Sequence, residues 1–252
     1  MKRLVCYLTL AVSVVILICF CIGIVEAKCI EARAVNPDDF DSPQDNTYFP
    51  MAIGTTYVYM AETEDELIRN EITITSDTEL IMGVTCVVVY DVEWVSIDDG
   101  VTWILIEDTN DWYAWDNDGK VWYFGEETKE YVYDDDWNFL YTTDEGSWEA
   151  GVDGALPGIV MLAEPLPGVC YQQEYYEGEA EDYGKVKRLD AKVSLETEEF
   201  DEFLEEGCLK TKEWTPLEPG AIEHKYYAPG LGLVFIEELK EKTVTVELVE
   251  VY

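Results

Sequence analysis

An alternation of apolar and polar residues, broken at short intervals by turn residues, runs through most of this chain. Its clearest stretch is residues 84–97, where Val84, Cys86 and Val88 begin a series of apolar even-numbered positions. Asp91 and Glu93 fall on the other face of the same stretch. Side chains of a strand alternate between the two faces of a sheet, so the pattern predicts β-structure with Cys86 on the core side.

Comparable stretches recur to the C-terminus and predict a single antiparallel β-meander over residues 46–252, curled into a half-barrel or a barrel-like sheet. Asp118-Gly119 predicts a tight hairpin turn, because both residues tolerate positive φ angles. The Gly- and Pro-rich residues 146–168 predict a long loop rather than a strand pair, residues 198–206 one short helix, and residues 28–45 a polar linker. The predicted strands cover residues 55–61, 69–75, 84–97, 102–107, 112–116, 121–125, 131–133, 139–142, 171–176, 185–195, 209–215, 223–227, 231–239 and 243–251.

The N-terminal residues 1–27 have the features of an export signal. Lys2 and Arg3 precede an uncharged apolar run over residues 4–25, which is about long enough to span a bilayer. Val25 and Ala27 fit a signal-peptidase site, so a cleaved signal peptide and an uncleaved membrane anchor both stay open. Either one predicts an extracytoplasmic domain, with membrane contact only through residues 4–25.

Acidic residues dominate the charge of the chain: 54 Asp and Glu stand against 16 Lys and Arg, a net charge of −38. Binding to nucleic-acid phosphates requires a basic surface, which this composition excludes. Hydrophobic residues make up 48% of the chain, enough to bury a core, so the composition also argues against disorder. The partners that we expect are a hydrophobic small molecule or a cell-surface component.

Four of the seven cysteines lie outside the apolar N-terminal run, at Cys29, Cys86, Cys170 and Cys208. An even number in an exported chain allows up to two disulfides, in three connectivities. A buried free thiol at Cys86 and a Cys86–Cys208 disulfide are the alternatives that we consider, with Cys29 left unpaired near the terminus.

Acidic turns suggest a calcium site. Carboxylates are frequent Ca²⁺ ligands, and two predicted hairpins carry several of them close together. The alternative is a solvated acidic surface. The candidate ligands are Asp116, Asp118, Asp134, Asp135 and Asp136.

Several short motifs rich in aromatic residues, Gly and Pro lie at residues 45–50, 54–57, 113–126, 146–151, 157–161, 215–220 and 226–232. Together they resemble a widespread family of uncharacterised exported bacterial and archaeal β-rich proteins. The resemblance extends over residues 46–234 and implies an exported β-protein, with no catalytic residue carried over.

These observations favour a non-enzymatic extracytoplasmic protein that is surface-associated or binds a small hydrophobic ligand on the concave side of its sheet. The alternative is a secreted hydrolase that acts on polysaccharide through a pair of carboxylates, although no particular pair can be singled out. His224 is the only histidine and has no Gly-x-Ser-x-Gly motif beside it, so the residues do not identify a nucleophilic site. Whether the protein is an enzyme is left open, and Ca²⁺ is the one cofactor considered.

Overall fold

The computed structural model describes residues 28–63, 66–239 and 243–252, so the export signal predicted over residues 1–27 lies outside the described residues. Within them the chain is mostly β-strand, with one 3-10 turn at Pro37–Phe40 and one short helix, α1 (Asp201–Leu204). No helix in the described ranges has the length and hydropathy needed to cross a membrane. The strands are β1 (Thr56–Glu62), β2 (Leu67–Ile81), β3 (Val84–Ser96), β4 (Ile104–Trp115), β5 (Val121–Tyr133), β6 (Phe139–Thr143), β7 (Trp148–Glu149), β8 (Leu156–Met161), β9 (Cys170–Gln172), β10 (Glu174–Tyr175), β11 (Tyr183–Ala191), β12 (Cys208–Trp214), β13 (Ile222–Ala228), β14 (Gly232–Leu239) and β15 (Thr243–Val251).

All 15 strands belong to one antiparallel sheet, which confirms the predicted mainly β meander with one short helix. The strand order is β10-β8-β5-β4-β3-β2-β1-β15-β14-β13-β12-β11-β9, with β6 and β7 attached to β5. The strands at the two ends of this order, β9 and β10, are separated along the chain only by Gln173. The two ends of the sheet therefore meet at this residue, and the sheet curls into a nearly closed barrel that surrounds a lumen.

Two long strands are continuous where the sequence predicted breaks. β4 runs unbroken through residues 108–111, and β5 runs unbroken through residues 126–130. Both stretches are polar, which hides the apolar alternation on which the strand prediction depends. The pairing of Asp111 with Glu126 shows that these polar stretches form regular ladder positions.

The predicted loop at residues 146–168 is wrong in part, because it contains β7 and β8. Two glycines explain how these short strands fit. A Cβ atom at Gly125 would collide with the backbone carbonyl of Trp148, and one at Gly158 would collide with the backbone of Gln173. Glycine therefore permits backbones to approach here more closely than any other residue would allow.

Residues 28–45, predicted as a polar linker, pack along the barrel and help to close it. The Ile30 N–H donates to the Cys170 carbonyl at 2.8 Å, and the Gln172 N–H donates to the Ile30 carbonyl at 2.7 Å. The Arg33 N–H donates to the carbonyl of Pro157 on β8 at 3.2 Å. Residues 29–33, which we call the seam strap, therefore connect β9 to β8 across the place where the sheet closes.

A disulfide between Cys29 and Cys170 fixes the seam strap to β9. The predicted Cys86–Cys208 disulfide is wrong, because both residues are buried free thiols. A buried free thiol was the alternative prediction for Cys86. Cys86 packs in an apolar cluster with Val121 and Trp122, whereas Cys208 packs in a second cluster near α1. Burial raises the pKa of Cys86 to about 12 and that of Cys208 to about 11, so both thiols stay protonated.

Candidate ligand-binding lumen

The lumen contains a cavity of about 520 Å³, within the size range of small-molecule pockets. One side is formed by β1, β2, β14 and β15, whose inward-facing side chains are largely aliphatic or aromatic. We call this side the apolar wall and define it by Tyr57, Ile68, Ile72, Ile236 and Val246.

The opposite side is acidic. Asp91 and Glu93 on β3 and Asp111 on β4 line the cavity directly. Across the strand register, Glu93 lies opposite Glu107 and Asp111 lies opposite Glu126. We call these five residues (Asp91, Glu93, Glu107, Asp111 and Glu126) the acidic wall. Like charges directly opposite each other destabilise a sheet. These pairs therefore lower the stability of the fold unless their charges are neutralised.

The acidic wall shows that the alternation in residues 84–97 predicted the wrong inner face for β3. Val89, Asp91 and Glu93 point into the lumen, whereas Tyr90 on the opposite face is 39% exposed. The predicted core side of β3 is thus the outer surface of the barrel, which other residues cover at its Cys86 end. The assumption that the more apolar face is the inner one fails because this interior is partly polar.

Burial has a large effect on the carboxyl groups of the acidic wall. It raises the pKa of Glu93 and of Glu126 to about 7, with further increases from neighbouring carboxylates such as Glu107. The pKa values of Asp91 and Asp111 are also raised, first by burial and then by other carboxylates nearby. Charged forms are disfavoured in a confined space of low polarity, so several of these groups retain protons near neutral pH.

Hydrogen bonds to the acidic wall come mainly from neutral groups. The Tyr123 hydroxyl donates to Asp111 Oδ1 at 2.6 Å, and the Asn70 side-chain amide donates to Asp91 Oδ1. Thr109 donates to Glu107 at 3.0 Å. Among the described residues, no Lys or Arg forms an ion pair with any member of the acidic wall.

Lys225 on β13 is the one cation among the described residues that line the cavity. Its Nζ lies 3.1 Å from Glu213 Oε2 and 3.4 Å from Glu223 Oε2. Burial alone would raise the pKa of Glu213, but Lys225 and hydrogen bonds from Thr211 and Gln173 hold it below its usual range. The same carboxylates raise the pKa of Lys225 despite its burial, so Lys225 and Glu213 form a charged pair.

The five predicted calcium ligands lie at the two ends of β5. Asp116 and Asp118 belong to the turn before this strand, whereas Asp134, Asp135 and Asp136 follow its last residue. A strand of 13 residues spans about 40 Å, so these two groups cannot share one ion. No group of three or more potential metal-ligating side chains is arranged around a common point in the described part of the chain.

The carboxylate of Asp116 is already occupied by protein donors. It accepts hydrogen bonds from the backbone N–H groups of Asp118 and Lys120, from the indole N–H of Trp122 and from the Lys120 ammonium. Asp134 accepts similarly from Asp136 and Asn138. Calcium binding at either turn remains a prediction.

His224 points away from the lumen. Its Nδ1 lies 3.3 Å from Glu237 Oε2, beside Lys210 and Tyr226. Burial and the Lys210 charge lower its pKa, so the imidazole is neutral at pH 7. His224 is not among the residues that line the cavity.

No family model matches the chain, and no curated relative matches it. Two solved structures are similar, each at 12% sequence identity. A "putative lipoprotein" from Parabacteroides distasonis matches with a TM-score of 0.37 over 83% of this chain and 100% of that chain. A "putative exported protein with YmcC-like fold" from Bacteroides fragilis matches with a TM-score of 0.38 over 82% of this chain and 99% of that chain.

Proposed function

We propose that this protein is an extracytoplasmic, non-enzymatic binding protein that holds a small molecule with an apolar body in its lumen. The observation that carries this proposal is the cavity of about 520 Å³ bordered by the apolar wall. A packed interior leaves few voids larger than a water molecule, and apolar side chains around a void lose contacts that a ligand would supply.

The proposed location rests on the sequence and on the disulfide. A basic and then apolar N-terminus precedes the domain, and Cys29 and Cys170 are joined across 141 residues. Disulfides persist mainly in oxidising compartments outside the cytoplasm. Cell fractionation, with alkylation of the isolated protein under non-reducing conditions, tests this location. Recovery from the cytoplasm with Cys29 and Cys170 both alkylated would contradict it.

Binding is tested with a neutral, apolar fluorescent probe and two matched variants on β2. Ile72→Trp places a large ring in the cavity, whereas Ser76→Trp places the same ring at an exposed position of the same strand. We expect the wild-type protein and Ser76→Trp to bind the probe equally, and Ile72→Trp to bind it at least about tenfold more weakly.

Two outcomes would contradict the proposal. One is equal binding by all three proteins, because the probe would then lie outside the lumen. The other is steady release of reducing ends from a polysaccharide, because this would support the hydrolase alternative instead.

A further inference from the structure

We propose that the ligand of the lumen is an organic cation, with a positively charged amine against the acidic wall and an apolar body against the apolar wall. This inference rests on the proposed function and specifies the class of ligand. Both the carboxylates of the acidic wall and the asymmetry of the cavity support this assignment.

The register of the strands is the first observation. Glu93 opposite Glu107 and Asp111 opposite Glu126 place acid against acid on the inner face of β3, β4 and β5. Such pairs cost stability unless a proton or a cation compensates them. A cation bound in the lumen would offset the cost of these pairs whenever the carboxyl groups are charged.

The second observation is that no Lys or Arg among the described residues forms an ion pair with the acidic wall. The Lys225 ammonium is held by Glu213 and Glu223, and Arg69 pairs with Glu71 through its Nη2 atom on the other face of β2. Asp111 is only 7% exposed and receives its one side-chain hydrogen bond within the described residues from the neutral Tyr123 hydroxyl. A buried carboxylate without a cationic partner is costly, and a bound cation would offset that cost.

The shape of the cavity favours an organic cation over a metal ion. Ca²⁺ requires six to eight oxygen ligands around one point, whereas the acidic wall is spread along three strands. Glu213 and Glu238 line the cavity from other strands, and the apolar wall provides no side-chain oxygen ligands apart from the Tyr57 hydroxyl. An ammonium group satisfies carboxylates through charge-assisted N–H···O hydrogen bonds, and its apolar body can cover Ile72 and Ile236.

Calorimetry with three probes of equal chain length tests the inference: n-octylammonium, 1-octanol and octanoate, each added to the exported protein at pH 8. We expect octylammonium to bind about 10- to 100-fold more tightly than octanol, as one charge-assisted hydrogen bond or two would produce. We expect octanoate to bind more weakly than octanol, because its charge repeats that of the acidic wall.

Variants locate the binding. Asp111→Asn and Glu93→Gln should each weaken octylammonium binding about tenfold and leave octanol binding unchanged. Glu127→Gln, on the exposed outer face of β5, is the matched control and should change neither. Glu93→Gln keeps the test valid if Asp111→Asn does not fold.

The outcomes separate the two proposals. Equal affinities for octylammonium and octanol would overturn the cation assignment and leave the binding function intact. Absence of binding by all three probes would overturn both. Octylammonium binding that is insensitive to Asp111→Asn and Glu93→Gln, or that is displaced by equimolar Ca²⁺, would also overturn the assignment.

Discussion

The carboxylates of the acidic wall and those at the ends of β5 are the same chemical groups in opposite surroundings. At the ends of the strand, Asp118 and Asp134 are exposed, and hydrogen bonds to their charged forms, with the Lys120 ammonium at Asp118, lower their pKa values. Inside the lumen, burial raises the pKa values of Glu93 and Glu126 to about 7. The net charge of −38 is therefore a formal value, and part of it is neutralised by protons within the fold.

The difference shows that the outer carboxylates stabilise turns, whereas the inner ones strain the sheet. An outer aspartate closes a turn by accepting backbone N–H groups, as Asp134 does from Asp136 and Asn138. An inner glutamate such as Glu126 faces another acid across the register. Evolution can retain the first arrangement for folding alone, but the second suggests a use for the cavity.

The largest effect should follow from opening the lumen to solvent. Cys29→Ser/Cys170→Ser releases the seam strap and removes a cross-link that spans 141 residues. Loop-closure entropy predicts a loss of about 5 kcal/mol in the free energy of unfolding. Chemical denaturation of both proteins under non-reducing conditions measures the loss.

A reductant provides the control, since it should lower the stability of the wild-type protein and leave the double variant unchanged. Opening the seam should also reduce the pKa shifts of the acidic wall by admitting water. Equal stability of the two proteins would contradict the assigned role of the seam strap.

The second largest effect should come from Lys225→Met, with Lys120→Met as its matched control. Both lysines lie 3.1 Å from a nearly buried carboxylate, Glu213 in the lumen and Asp116 at the outer turn. Losing the lumen cation leaves carboxylates facing one another and should cost about 3–5 kcal/mol. Losing the outer cation should cost about 1 kcal/mol, because Asp116 still accepts hydrogen bonds from the backbone N–H groups of Asp118 and Lys120 and from the Trp122 indole.

Denaturation at pH 8 compares the two lysine variants. Their difference should shrink at pH 5, because without Lys225 burial raises the pKa of Glu213 and lets it take up a proton. A larger loss for Lys120→Met than for Lys225→Met would contradict the distinction between inner and outer charges.

The dependence of stability on pH should also distinguish the inner carboxylates from the outer ones, with an effect of intermediate size. Glu93, Glu126 and Glu174 have pKa values of about 7, 7 and 8, against about 4.3 in the unfolded chain. Their folded forms bind more protons, so the stability that they contribute is complete below about pH 4 and is lost as the pH rises through 7 to 8. A loss of only about 3 kcal/mol would lower the melting temperature by about 6–12 °C between pH 5 and pH 8.5.

Calorimetric melting across this pH range measures the effect. Glu126→Gln should raise the melting temperature at pH 8.5 and flatten the pH dependence, whereas Glu127→Gln on the exposed face should do neither. A melting temperature that rises from pH 5 to pH 8.5 would contradict this prediction, because ionisation of the inner carboxylates would then not destabilise the fold.

The sequence predicted the fold class and most strands, because alternation and turn residues are local signals. It missed the middle of β4 and β5 and the inward facing of Asp91 and Glu93 for one shared reason. A polar lumen reverses the rule that places acids on the outer face, and no local pattern reports which face will be enclosed. The Cys29–Cys170 disulfide could not be predicted from the sequence either, because it depends on the contact between the seam strap and β9 where the sheet closes.

One signal was available for the lumen. A polar stretch in β4, from Asp108 to Asp111, can be aligned against a polar stretch in β5, from Glu126 to Lys129, once the Asp118-Gly119 turn fixes their register. Asp111 then falls opposite Glu126, and Glu107 falls opposite Glu130 just beyond these stretches, which is unusual for a solvated hairpin. The position of Lys225 opposite this wall could not be inferred, because β13 follows several intervening strands.

The smallest effect should come from the outer turn itself. Asp134→Asn keeps a side-chain oxygen that can accept from Asp136 and Asn138, so the turn should persist and the melting temperature at pH 7 should change by less than about 2 °C. Adding Ca²⁺ should change the melting temperatures of the wild-type protein and of Asp134→Asn by the same amount, because the Asp134 carboxylate is already engaged by turn donors. A stabilisation by Ca²⁺ that disappears in Asp134→Asn would instead establish the calcium site that the acidic turn suggests. It would also mean that exposed acids, and not only the enclosed ones, are placed for a ligand.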